Sequence, residues 1–179
     1  MLWGRAAVLD QLSAYKVRPA SSQPPAARFE TGTPSFEGQG GVLGTIEYLE
    51  WLGGTLDPAA NSRRARLLAA MHGCVAYERD LGTRLLKGFA AIDGLTLHGP
   101  PTMDGRVPTF AFTMARHSPQ VIAAHLAERG IFAWAGDFYA PEAVARLGLG
   151  DRGGLLRVGL CHYSTAAEVD ALLAALAGL

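Results

Sequence analysis

Residues 152–170, RGGLLRVGLCHYSTAAEVD, contain a strand, a link and the start of a helix. In Leu155–Leu160 the apolar side chains Leu156, Val158 and Leu160 fall at period two. They form a core face and turn Arg157 to the other side. Thr165 and Glu168 then make a T-x-x-E capping box ahead of Val169, Leu172, Leu173 and Leu176. Upstream, Ile131–Trp134 reads as a short apolar strand, and Ser118-Pro119 opens a helix that Gly130 closes. Val107–Met114 (VPTFAFTM) places Phe110, Phe112 and Met114 on one face, with Pro108 restricting it to a strand start or an edge. Leu95-Thr96-Leu97 is a further short strand. From Asp93 onward the order is strand, strand, helix, strand, strand, helix. That order predicts an α/β sandwich, a small sheet with helices on one face.

The N-terminal half has another character. Leu67, Met71, Cys74, Val75, Leu81, Leu85, Phe89 and Ile92 recur at three-and-four spacing, predicting one long amphipathic helix over Arg63–Ile92. A second helix is expected to start at Thr33-Pro34, with a hydroxyl N-cap and proline at the first helical position, and to end at Gly53-Gly54. RPASSQPPAAR, residues 18–28, reads as a loop because proline fixes φ and removes donors. Leu2–Leu12 carries helical spacing at Val8, Leu9 and Leu12. Helices without enough strands to build a core suggest a domain preceded by a fragment of another.

Composition removes several classes. The 179 residues hold 16 Lys+Arg and 16 Asp+Glu, so no strong field selects nucleic acid as a partner. No stretch approaches the roughly 20 apolar residues of a membrane helix. Arg5 and Asp10 interrupt the N-terminus and exclude a secretory signal. Cys74 and Cys161 form no CxxC pattern, and none of the five histidines sits in an HExxH spacing, so neither a disulfide framework nor a metal site is expected. These features point to a cytoplasmic protein. Charged residues make up only 18%, against about 25% in ordinary soluble domains, which predicts a surface buried against a partner.

Two places carry candidate chemistry. Arg157 is either an exposed edge residue or a guanidinium aimed at an anion, and its planar fork suits a carboxylate. Thr31-Gly32-Thr33-Pro34 is either an ordinary N-cap or a phosphate cradle at a helix N-terminus. The run Gly38-Gln39-Gly40-Gly41-Val42-Leu43-Gly44 has no strand before it, which argues for helix packing over a dinucleotide loop.

Four ordered segments resemble the C-terminal portion of pyridoxal 5′-phosphate (PLP) enzymes of aminotransferase class V, in particular the cysteine desulfurase-like subfamily. They are LWGR at 2–5, YKVRPA at 15–20, RFETGTPSFEG at 28–38 and the 152–170 segment, and the resemblance spans essentially the whole chain. It implies a small C-terminal α/β sandwich domain of a fold type I PLP enzyme, together with the helical end of its large domain. Residues 1–62 would be the large-domain remnant, 63–92 an interdomain helix and 93–179 the small domain. Arg157 would hold the α-carboxylate of an amino-acid substrate, and Thr33 would reach the PLP phosphate of a neighbouring subunit in a homodimer.

The same resemblance implies that the Schiff-base lysine, the aspartate facing the pyridine nitrogen and most of the large sheet lie upstream of LWGR. Neither Lys16 nor Lys87 matches that lysine, so the chain is expected to be truncated and not to bind PLP covalently. AERGIFAWAGDFYAPEAVARLGL, residues 127–149, matches the stretch of the desulfurase cysteine loop and puts Tyr139 where the nucleophile would stand. A phenol is no persulfide carrier. The other reading left open is a non-catalytic interaction module that pairs with a separate large domain or with itself.

Overall fold

The computed structural model describes residues 3–18 and 21–179, so Leu2 of the first segment and Pro19-Ala20 of the proline-rich stretch lie outside the described residues. Two compact units are present, Met1–Trp51 and Leu52–Leu179.

In the first unit a single helical turn, α1 (Ala6–Leu9), and a 3-10 turn at Pro25–Phe29 are tied together by Arg28. Its guanidinium donates to the carbonyls of Leu9 (3.2 Å) and Leu12 (3.1 Å) and lies 3.5 Å from Asp10. Proline-rich sequence thus supports a short 3-10 turn where a loop was expected. Helix α2 spans Phe36–Leu56 and continues into the second unit. Its first helical residue comes two places after Pro34, because Phe36 N–H turns back on Pro34 O and the first helical bond runs from Gln39 to the carbonyl of Ser35. Ser35 therefore takes the place expected for Thr33. Nor do Gly53-Gly54 end the helix. Gly53 is buried, and a Cβ there would overlap the carbonyl oxygen of Arg66. The glycine serves close backbone approach, not termination.

Helix α3 (Arg63–Phe89) starts with Ser62 as N-cap, its side chain accepting from Ala65 N–H. Only part of the predicted stripe is packed: Leu81, Leu85 and Phe89 are buried, while Met71 and Val75 are exposed. The strands are β1 (Leu95–Leu97), β2 (Thr109–Met114), β3 (Trp134–Gly136) and β4 (Leu155–Gly159). They form one antiparallel sheet in the order β1-β2-β4-β3. The remaining helices are α4 (Pro119–Ala127), α5 (Pro141–Arg146) and α6 (Ala166–Ala177).

The main core lies between one sheet face and α3, α4 and α6. Phe110, Phe112, Leu156, Leu85, Ile122, Leu126 and Leu176 have no exposed surface. Phe89 wedges between two β2 rings, with centroids 6.1 Å from Phe110 and 4.8 Å from Phe112. The expected helix-on-sheet sandwich is the one observed. Strand β3, however, begins at Trp134 and not at Ile131. Gly130 adopts a left-handed φ of 71° and Ile131 N–H returns to Leu126 O, so 131–133 close α4 before pairing can begin. The opposite sheet face carries a smaller core that the pattern did not predict. There Val144 of α5 packs with Leu149 and Leu155, and Ala111 and Phe138 join them.

Candidate functional site around Arg157

Period two on β4 sends Leu156 and Val158 into the main core and turns Arg157 to the opposite face, where it is half-buried. The pairing register sets its neighbours: Ala111 of β2 on one side and Trp134 of β3 on the other. The guanidinium carbon lies 4.7 Å from the ring centre of Phe138 and 5.7 Å from that of Trp134. Both distances lie within cation–π range. Among the described residues none gives the Arg157 guanidinium a hydrogen bond or a carboxylate partner. Beside it opens a recess of about 560 Å³, lined by Thr109, Phe132, Trp134, Arg157 and Gly159. Arg157 is the only charged group in that lining. An unpaired cation at the wall of an otherwise uncharged recess can take a small carboxylate through two parallel N–H···O bonds.

The segment after β3 supplies Phe138 through an uncommon backbone. Phe138 and Tyr139 both have positive φ, 56° and 60°. Asp137 holds the turn: its carboxylate accepts from Tyr139 N–H at 3.0 Å, and its carbonyl accepts from Ala140 N–H at 2.9 Å. Gly154 crosses so near that a Cβ on it would collide with Gly136 O. Sequence reasoning did not find Phe138, since nothing in AGDFYAP marks a non-glycine residue for the left-handed region. Tyr139 stands at the tip, 96% exposed.

None of the other candidate residues is among those that line this recess. Thr33 is exposed, in the segment without regular structure ahead of α2 in the first unit. Lys16 is half-buried and donates to Ser22 Oγ at 3.3 Å. Lys87 is exposed in the last turn of α3. Cys161 is half-buried just past β4, and its N–H bonds Ser164 Oγ at 3.1 Å. Cys74 is half-buried on α3, where burial and the nearby Glu78 charge push its thiol pKa up, away from a reactive thiolate. Among the described residues no group of three or more His, Cys, Asp or Glu is placed to hold a metal, and no helix is long and apolar enough to cross a membrane.

Comparison with known proteins matches the aminotransferase class V family model over residues 4–172. An uncharacterised Mycobacterium tuberculosis protein, MT3887, is 32% identical over all of this chain and 43% of its own length. A probable cysteine desulfurase of Streptomyces coelicolor is 26% identical over 97% of this chain and 39% of its own. The chain therefore spans less than half the length of these relatives. The solved Escherichia coli cysteine desulfurase CsdA shares the fold with a TM-score of 0.72 at 23% identity, over 97% of this chain and 40% of that one. A C-DES variant structure with glycine covalently linked to its PLP cofactor superposes at a TM-score of 0.50 and 16% identity, over 86% of this chain and 32% of its own. PLP is the cofactor of the family. The fold is that of a fold type I α/β fragment, and the chain belongs to the aminotransferase class V family.

Proposed function

We propose that this chain is the C-terminal part of a PLP-dependent, cysteine desulfurase-like enzyme that acts on an amino acid, and that Arg157 holds the substrate α-carboxylate. In this reading residues 1–62 belong to the large domain, 63–92 to the interdomain helix and 93–179 to the small domain. Thr33 contributes its hydroxyl to the PLP phosphate of a neighbouring subunit, in a cytoplasmic homodimer. The carrying observation is the guanidinium of Arg157, unpaired among described residues at the wall of an otherwise uncharged recess.

The residues present fit the carboxylate end of a substrate and do not fit covalently held PLP. Lys87 is exposed and absent from the recess lining, and Lys16 is engaged with Ser22. No step through the cofactor is therefore assigned to this chain, which is inert alone. Tyr139, exposed and phenolic, gives no persulfide chemistry to an enzyme restored around it.

The test is a titration of the chain with L-alanine and with L-alaninamide, followed by NMR of the Arg157 side chain. Saturable binding of the acid but not the amide, lost in Arg157→Gln, supports the assignment. Equal response to both, or none, removes Arg157 from the site.

A second reading, a non-catalytic module that pairs with a separate large domain or with itself, is favoured by the exposed apolar side chains Trp3, Phe36, Leu43 and Trp51. Light scattering after size exclusion tests it. A clean monomer at all concentrations counts against an obligate partner.

A further inference from the structure

We propose that Phe138 is a positioning residue for Arg157: its ring fixes the guanidinium plane so that the free edge of the fork faces the recess. This rests on the carboxylate reading of Arg157 and adds the device that orients it.

An arginine on a sheet face has several rotamers, and an unpaired one spends them freely. A carboxylate gains its two parallel bonds only when the fork is already aimed. Phe138 lies 4.7 Å from the guanidinium carbon, nearer than Trp134 at 5.7 Å, so the charge is within reach of two rings. Aromatic faces attract the cation without using any of its N–H donors, which stay available for an anion. An ion pair would consume those donors, and no described carboxylate makes one.

The placement of Phe138 is itself built. Its ring packs on Val144, Leu149 and Leu155, a core separate from the main one. Its backbone is held at φ 56°, next to Tyr139 at 60°, a conformation that bulky L-residues seldom adopt. Such conformations persist only where surroundings impose them. Here the imposing contacts are the Asp137 turn and the close crossing of Gly154 at Gly136. Turn and crossing together deliver one aromatic ring to one guanidinium.

The experiment uses the whole chain, with the Arg157 Nε–H resonance and L-alanine affinity as paired readouts in wild type, Phe138→Leu and Phe138→Tyr. In Phe138→Leu the resonance should lose the Phe138 part of its ring-current shift, leaving that of Trp134, and affinity should fall roughly fivefold, with Phe138→Tyr restoring both. An unmoved resonance and unchanged affinity in Phe138→Leu would make Phe138 a packing residue only and overturn the proposal. If leucine collapses the small core, seen as lost dispersion of the Val144 and Leu149 methyls, Phe138→Tyr decides: a folded protein with the wild-type Arg157 signal and affinity supports the proposal, and one lacking them overturns it. If wild type shows the ring-current shift but binds no L-alanine, the carboxylate reading of Arg157 fails while the aromatic brace stands.

Discussion

Arg84 of α3 and Asp170 of α6 form a two-pronged ion pair, with Nε and Nη2 each 2.6 Å from a different carboxylate oxygen. It clamps the two helices whose apolar faces meet over the sheet. The hydrogen bond from Arg84 holds the Asp170 carboxyl below its usual range, and Asp170 in turn raises Arg84. A carboxylate depressed in the folded state contributes stability above its unfolded pKa of about 3.9, and that stability is lost as pH falls through the folded value. Both side chains are about half exposed, so the contribution is small and screened by salt. Asp170→Asn should lower Tm slightly at pH 7 and low salt. The gap should close in 1 M salt, or below the titration of the folded carboxyl. A Tm difference that is independent of both would assign the effect to lost packing.

His98 titrates with the opposite consequence for charge. Its Nε2 lies 3.0 Å from Oγ1 of Thr113, itself buried in β2, and burial lowers the His98 pKa. An unfolded histidine takes up its proton near pH 6.5, before the folded one does, so the unfolded state gains as pH drops through that window. Stability is expected to fall below about pH 6.5 and to level off once folded His98 also protonates. His98→Gln should flatten this limb. Denaturant midpoints at pH 5 and pH 7.5 for both proteins provide the measurement, and parallel pH slopes would count against His98.

The sequence was most readable where one local rule decided the outcome. The Thr165–Glu168 box closes both of its bonds, with Thr165 N–H donating to Glu168 at 2.7 Å and Glu168 N–H to Thr165 Oγ1 at 3.2 Å. Alternation in β2 gave its core face correctly, and period two turned Arg157 off the main core. What surrounds Arg157 was not readable, because Trp134 reaches it through strand register and Phe138 through a strained turn, and neither is written locally. Helix α2 misled for a related reason. A glycine pair signals a stop from propensity alone, yet here tertiary contact with Arg66 uses Gly53 within the helix.

That contact makes a sharp prediction. A methyl at position 53 meets a backbone carbonyl, which cannot swing aside as a side-chain end can. Gly53→Ala should therefore cost about 1–3 kcal/mol through overpacking, despite the better helix propensity of alanine. Gly41, in the same helix, has open space around its missing Cβ, and Gly41→Ala should gain up to about 1 kcal/mol. Chemical denaturation of the two variants compares them. If both stabilise, the close approach of α2 to Arg66 is wrong.

PLP reacts reversibly with many exposed amines, but a resident cofactor needs one lysine held where ring, phosphate and substrate meet. Lys87 lies exposed on α3 without a place in the Arg157 recess, and Lys16 points its amine at Ser22. The purified chain mixed with PLP, reduced with borohydride and digested should show only scattered, substoichiometric label on these two lysines, with no consumption of added amino acids. Arg157→Gln should leave that labelling unchanged, since the role proposed for the guanidinium is at the carboxylate end of the substrate and Arg157 is not an amine that PLP labels. One-to-one labelling of Lys16 or Lys87 with turnover of an amino acid would mean that this chain carries a working amine after all, and the division of labour assigned to Arg157 would have to be redrawn around it.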